Sequence, residues 1–355
     1  MEKVSARVAV VPGDGVGKEV VAASREVLDA LLATSDTLAI DWTELDWGTD
    51  YYSATGRMMP EDGLEVLREH DAILFGAVGW PTVPDHITLW GLRLAICQGL
   101  DQWANVRPVH RLPRVPIPLE EGRGDFDFVI VRENSEGEYS GFGGRNFAAR
   151  PGLGEIAVQS SIFTEYGCER IIRFAFELAR TRSVPKVTSV TKSNAQQYGL
   201  VLWDEVFRRV AAEFPDVETE SVLVDAMAAR FVLDPVSLSV VVASNLFADI
   251  LSDLGGAMMG GLGLAPSANL DPARRAPSMF EPVHGSAFDI AGKGVANPVG
   301  TLLSAAMMLE HLGAPELAGR LTAAVRETLD AGILTADVGG AATTAEVTAA
   351  VVERL

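Results

Sequence analysis

Apolar residues run along this chain in two alternating rhythms. Short continuous runs read as buried strands, and longer stretches with apolar positions three and four apart read as helices. Residues 7–11 (RVAVV) form the first run, stopped by Pro12-Gly-Asp-Gly15. A helix then begins near Lys18, with Val20, Val21, Val27, Leu28 and Leu31 on its apolar side. Residues 72–78, 126–132, 187–192 and 239–245 repeat the strand pattern, and the last three of these end in Arg132, Lys192 and Asn245. Strands alternating with helices predict an α/β protein with a substantially parallel sheet, whose ligands bind beyond the carboxyl ends of the strands.

The helical rhythm resumes after Asn245, with Leu246, Ile250, Leu251 and Leu254 as its apolar positions and Asp249 and Asp253 four apart. On a helix that interval puts both carboxylates on one face, one turn apart. Like charges held there destabilise the helix and lose hydration near an apolar face. A divalent cation relieves both, and hard oxygen ligands suit Mg²⁺ or Mn²⁺. The plain alternative is a solvated acidic face. Residues 140–154 are too rich in glycine for a helix, and lead into a strand-like 155–160, the pattern of a protruding hairpin arm.

Composition narrows the functional classes. A chain of 355 residues buries a large core and is expected to form two domains. A net charge of −19 argues against nucleic acid or an anionic membrane as partner. It leaves room for a small anionic substrate in a local cationic pocket. No signal-peptide pattern opens the sequence, and no window reaches the roughly 18 apolar residues of a membrane span. The only cysteines, Cys97 and Cys168, are too few for a disulfide framework or a thiolate zinc site, and the expected compartment is the cytoplasm.

Several side chains are candidates for chemistry. Arg107 and Arg132 suit a carboxylate clamp, since guanidinium pairs with carboxylate bidentately, although structural ion pairs would use the same residues. Tyr139 and Lys192 serve as acid and base if burial and neighbouring cations lower their pKa values; packing or simple exposure is the alternative. Asp225 follows an apolar run and could join Asp249 and Asp253. Residues 12–18 (PGDGVGK) fit neither phosphate-loop pattern and support only a tight turn. Residues 281–289 (EPVHGSAFD) read as a second loop, whose backbone N–H groups could hold a nucleotide. There Asp289 would accept from a ribose hydroxyl and repel a 2′-phosphate.

Together these segments resemble the β-decarboxylating dehydrogenases, the family of isocitrate, isopropylmalate and tartrate/D-malate dehydrogenases. The likeness lies in PGDGVGKEV (12–20), DQWANVRPV (101–109), VRENSEGEYSG (131–141), TKSN (191–194), ASNLFADILSDLGG (243–256) and FEPVHGSAFDIAGKGVANP (280–298). FGAVGWP (75–81) and PDHITLWG (84–91) look most like the tartrate/D-malate branch. The resemblance implies a two-domain, non-Rossmann α/β fold with mixed parallel and antiparallel strands. Its discontinuous large domain would hold 1–100 and 259–355, and its small domain 101–258, with the arm at about 140–160. It implies a homodimer with shared active sites, NAD, and Mg²⁺ or Mn²⁺, and leaves a K⁺ requirement open. By the same carry-over Asp249 and Asp253 hold the metal with Asp225 of the second copy. Lys192, also from that copy, assists removal of the C2 hydroxyl proton, and Tyr139 protonates the enol carbon. Arg107 and Arg132 hold substrate carboxylates; His284, Gly285, Ser286, Ala287, Asp289 and Asn297 hold the dinucleotide, with Asn194 near the nicotinamide.

The chain also departs from the family. Cys97 stands where relatives carry a clamp arginine, ten residues before Arg107, while Arg93 lies one turn earlier, where relatives read the substrate's C3 substituent. Arg93 either replaces the lost clamp for a small acid such as malate or tartrate, or recognises an extra polar group. Ala248 stands in place of a glycine and Phe288 in place of a proline. The expected activity is NAD- and metal-dependent oxidative decarboxylation of a 2-hydroxy acid carrying a C3 carboxylate, D-malate or tartrate, with 3-isopropylmalate as runner-up. A Mg²⁺-dependent phosphotransferase and a non-catalytic binding protein are the readings from other classes.

Overall fold

The computed structural model describes residues 4–120, 125–146, 152 and 154–355. The chain divides into two compact units, Met1–Asp125 with Gly255–Leu355, and Phe126–Leu254. The divisions thus fall at 125/126 and 254/255, against the 100/101 and 258/259 expected from the resemblance. Among the described residues the strands are β1 (Val4–Gly13), β2 (Leu38–Glu44), β3 (Ala72–Ala77), β4 (Ala104–His110), β5 (Asp127–Glu133), β6 (Gly143–Asn146), β7 (Ile156–Gln159), β8 (Lys186–Thr191), β9 (Glu218–Leu223), β10 (Val240–Ala243), β11 (Pro266–Leu270) and β12 (Ser278–Pro282).

In the first unit the strand order is β2-β1-β3-β12-β11-β4. β2, β1, β3 and β12 run parallel, whereas β11 pairs antiparallel with both β12 and β4. The continuous apolar run Val8–Val11 follows from this position, since β1 is flanked on both edges and its residues are buried on both faces. The helix Gly17–Ala33 buries Val20, Val21, Val27, Leu28 and Leu31 as the spacing predicts. Cys97 lies in the apolar core of this unit with Val11, Phe75, Leu92, Ile96 and Met279.

The second unit holds the parallel order β5-β10-β8-β9. Its edge strand β9 is mostly exposed, so the run leading to Asp225 is not the buried strand that its apolar residues predict. Asp225 instead lies in the first turn of the helix Val224–Leu233. The strand expected over 239–245 stops at Ala243, and Asn245 opens the helix Asn245–Met259. Of that helix's predicted apolar positions Leu251 is buried and Leu246 and Leu254 half-buried, but Ile250 is not. Phe247, Ala248 and Leu251 are buried, while Ile250 is 58% exposed. The buried side is shifted toward Phe247 and Ala248, which the apolar spacing did not single out. Ala248, with its methyl on that packed side, is fully enclosed. β6 and β7 pair as an antiparallel hairpin, exposed along both strands. Residues 147–151 and 153 of the expected arm lie outside the described residues. No helix among the described residues is long and apolar enough to cross a membrane.

Candidate active site

In the second unit, polar residues stand at the carboxyl ends of neighbouring parallel strands, where the chain leaves the sheet and backbone pairing stops. Arg132, next to last in β5, is almost wholly buried, and its Nε donates to Asn245 Oδ1 at 2.9 Å. Its Nη1 donates to Asp249 Oδ1 in a short ion pair. The Tyr139 hydroxyl donates to the other carboxylate oxygen, Oδ2, at 3.1 Å, and its ring lies 5.2 Å from the Arg132 guanidinium carbon. Asn245 Nδ2 in turn donates to the Glu136 carbonyl at 2.9 Å. Guanidinium and phenol therefore converge on one carboxylate, and the Asn245 amide braces the guanidinium. Asp253, one turn further along the helix, is exposed.

Lys192 follows β8 directly and donates through Nζ to Asp225 Oδ1 at 2.6 Å. This hydrogen bond and the ammonium charge hold the Asp225 carboxyl below the usual range. Asn194 is exposed in the turn after Lys192. Glu133 beside Arg132 is enclosed, and burial pushes its pKa up despite hydrogen bonds from Ser135 and Glu136. The oxygen donors are the kind that Mg²⁺ or Mn²⁺ prefers. One chain brings Asp249 and Asp253 to a single helix face and keeps Asp225 against Lys192. Among the described residues no three His, Cys, Asp or Glu side chains cluster as a metal site.

The first unit holds the remaining candidates. Arg107 is buried on β4. Arg93 ends a single π-helical turn, Leu89–Arg93, a distortion often found at functional positions. It reaches Glu281, with Nε–Oε1 at 2.9 Å and Nη2–Oε1 at 2.6 Å, and is only 11% exposed. Asn269 Nδ2 donates to the same carboxylate at 2.7 Å. Burial alone would raise the Glu281 pKa; the Arg93 charge and hydrogen bonds, Asn269 and the Arg107 charge outweigh it and hold it low. Glu281 thus belongs to the strand β12, not to the loop that its sequence context predicts.

That loop begins after Pro282. Gly285 and Asp289 are exposed, Ser286 and Asn297 buried, and Ala287 adopts a left-handed φ of 38°. The His284 ring bonds through Nδ1 to the Gly285 carbonyl, an acceptor only, so Nδ1 carries the hydrogen there and Nε2 is an acceptor. Nε2 is buried with no hydrogen-bond partner among the described residues, and burial also lowers the His284 pKa. A buried acceptor without a donor fits a ligand bearing N–H or O–H groups, as a dinucleotide does. Asn297 Nδ2 donates to Asp337 Oδ2 at 3.1 Å.

The turn over residues 12–18 braces this loop. Val16 N donates to the Ser286 carbonyl at 2.8 Å. A methyl on Gly15 would lie 2.0 Å from that same oxygen, and the residue has φ of 57°. Asp14 accepts from Thr49 N, Thr49 Oγ1 and Gly79 N at 2.7, 2.8 and 2.9 Å.

Reasoning from sequence named Asn245 only as a strand end, without a role, and gave none to Glu281, Asp14 or Asp337. Asn245 was legible, because it stands one turn before Asp249 just as Asp249 stands before Asp253. Glu281 carried no local signal, since its partner Arg93 is 188 positions away.

The chain matches a family described as isocitrate/isopropylmalate dehydrogenase over residues 7–351. It is 58% identical over 350 residues to a probable tartrate dehydrogenase/decarboxylase of Agrobacterium vitis, covering 98% of this chain and 97% of that one. It is 47% identical over 353 residues to the D-malate dehydrogenase [decarboxylating] of Escherichia coli, covering 97% of both. Among solved structures, the isocitrate dehydrogenase of Methylococcus capsulatus superposes with a TM-score of 0.89 at 34% identity, covering 98% of this chain and 99% of that one.

Proposed function

The chain belongs to the isocitrate/isopropylmalate dehydrogenase family and is an oxidoreductase; on that premise we propose that it oxidatively decarboxylates a D-malate- or tartrate-type acid with NAD and Mg²⁺ or Mn²⁺. The observation that carries the reading is the convergence of Arg132 and Tyr139 on Asp249, with Asp253 one turn away. Clamp, acid and oxygen donors then occupy one hydrogen-bonded group within the second unit.

Asp249 and Asp253 of one chain and Asp225 of a second copy would hold the cation, whose Lewis acidity polarises the C2 oxygen and the C1 carboxylate. The residues from His284 to Asp289, with Asn297 and Asn194, would hold NAD, which would supply the acceptor for the C2 hydride. Lys192, positioned by Asp225, takes the hydroxyl proton as the C2–O bond becomes a carbonyl. The C3–carboxylate bond then breaks and CO₂ leaves with its electron pair drawn toward that carbonyl. Tyr139 returns a proton to C3. Arg107 and Arg132 hold the carboxylates throughout. Arg93, paired to Glu281, offers a polar wall where the resemblance puts the C3 substituent, which disfavours the isopropyl group of 3-isopropylmalate.

The test is NADH release with D-malate, both tartrate isomers, isocitrate, homoisocitrate and 3-isopropylmalate, with Mn²⁺ and K⁺ present. Turnover is expected with D-malate or a tartrate. Turnover confined to 3-isopropylmalate or isocitrate would overturn the substrate class.

A further inference from the structure

Three neighbouring parallel strands of the first unit, β1, β3 and β12, begin side by side. Where they begin, a cavity of about 360 Å³ is lined by Val4, Asp71 and Pro277, at or just before the first residue of each strand. That is the lower end of the range for small-molecule sites, roughly 300–1,000 Å³. The turn over 12–18, Gly79 and His284 follow the other ends of the same strands. β3 alone spans six residues, about 20 Å, so the cavity is remote from them.

Its charges run against those of the chain. The net charge is −19, yet Arg68, Arg274 and Arg275 line this cavity against one carboxylate, Asp71. The three guanidiniums differ in what they have left to give. Arg275 is committed through Nη2 to Asp101 and Asp271, at 2.9 and 3.1 Å. Arg68 donates Nη2 to the Gly99 carbonyl at 2.9 Å, and its ion pair with Glu65 is stretched to 3.9 Å. The Arg274 side chain has no hydrogen-bond or ion-pair partner among the described residues. Arg274 also sits in a left-handed conformation, φ 54°, which glycine adopts freely and a side chain resists. Strain of that kind, beneath an unspent guanidinium, is what a ligand site uses and not what a turn needs.

We propose that this cavity binds a small molecule carrying a phosphoryl group, as free phosphate or as its ester, through Arg274 and Arg68. A phosphoryl dianion offers three terminal oxygens to more than one guanidinium, whereas a single fork already satisfies a carboxylate. Arg275, fixed by its own carboxylates, holds the turn that presents Arg274. Pro277 and Leu312 give an apolar wall for a carbon body. The site lies apart from the proposed dehydrogenase chemistry and does not depend on it.

Of the chain's five histidines, His70 and His311 line the cavity and His284 lies in the loop proposed to hold NAD. Their ring signals in proton NMR therefore report where an anion binds when the whole protein is titrated with inorganic phosphate, glycerol 3-phosphate or succinate. Both phosphates are expected to move His70 and His311 and to raise the melting temperature. The tighter of the two identifies the free ion or the ester as the source. Arg274→Gly, which suits the backbone, should weaken that binding on the order of tenfold and leave NADH release without phosphate unchanged. Arg68→Gln should weaken it by less. Movement of His284 alone, no movement at all, undiminished binding in both variants, or succinate acting as strongly as phosphate would overturn the proposal.

Discussion

Two ion pairs, one in each unit, show what burial does to the same chemistry. In the first unit Arg93 and Glu281 are 11% and 6% exposed, Asn269 donates to the carboxylate, and the Arg107 charge helps hold its pKa low. In the second, Arg132 is 2% exposed but Asp249 is 34% exposed, and the exposed Asp253 lies one turn on. A sealed pair is costly to break because each partner is left as a buried charge. A half-open pair keeps oxygen atoms within reach of a ligand. The first arrangement fixes a fold and the second can exchange partners.

The contrast is sharpest at Asp253. Asp253→Ala, or treatment with a chelator, is expected to abolish NADH release, whereas the exposed substitution should leave stability within about 0.5 kcal/mol. Added Mn²⁺ should restore the chelated wild type and not the variant. Activity retained in Asp253→Ala would remove the second unit's claim to the metal.

Next in size, Tyr139→Phe should lower kcat by roughly 10²–10⁴-fold, the range for loss of a positioned acid, with an unchanged melting temperature. A loss below threefold would reassign the hydroxyl to holding Asp249.

On the other side of the comparison, Glu281→Leu should cost about 3–5 kcal/mol in urea unfolding by stranding Arg93. The double variant Arg93→Met/Glu281→Leu should recover most of that. If the single variant unfolds like the wild type, the pair adds nothing to the stability of the fold.

The smallest effect concerns pH. Burial, and then the Arg274 charge, push the His311 pKa from 6.5 down to about 4. Between those values the unfolded chain binds a proton that the folded chain does not, so this contribution is complete above about pH 6.5 and lost as pH falls through 4. His311→Gln should flatten that part of the decline in melting temperature between pH 7 and pH 4.

The elements at the candidate site were legible where a local pattern sufficed. β1, the following helix and the strand ends at Arg132 and Lys192 follow from runs and periods within a dozen residues. The helix from Asn245 was legible as a helix, but its buried side was not. Its apolar residues span more than one stripe, and spacing alone does not say that Phe247 and Ala248 are buried while Ile250 is exposed. Arg93 shows the other limit. Its position on a helix was clear, but the charge that holds it lies on β12, and no spacing rule connects residues so distant. Cys97 was read as a lost clamp; its enclosure among Phe75, Ile96 and Met279 shows that the position is now part of the core.

The contact between Gly15 and the Ser286 carbonyl limits how this protein could be redesigned. The 12–17 turn and the loop proposed to hold the cofactor are cast against each other with no room for one methyl group between them. Exchanging the loop for that of an NADP-using relative, in order to switch cofactors, would have to import the donor's first turn as well. The two segments are far apart in sequence, but for grafting they are one part.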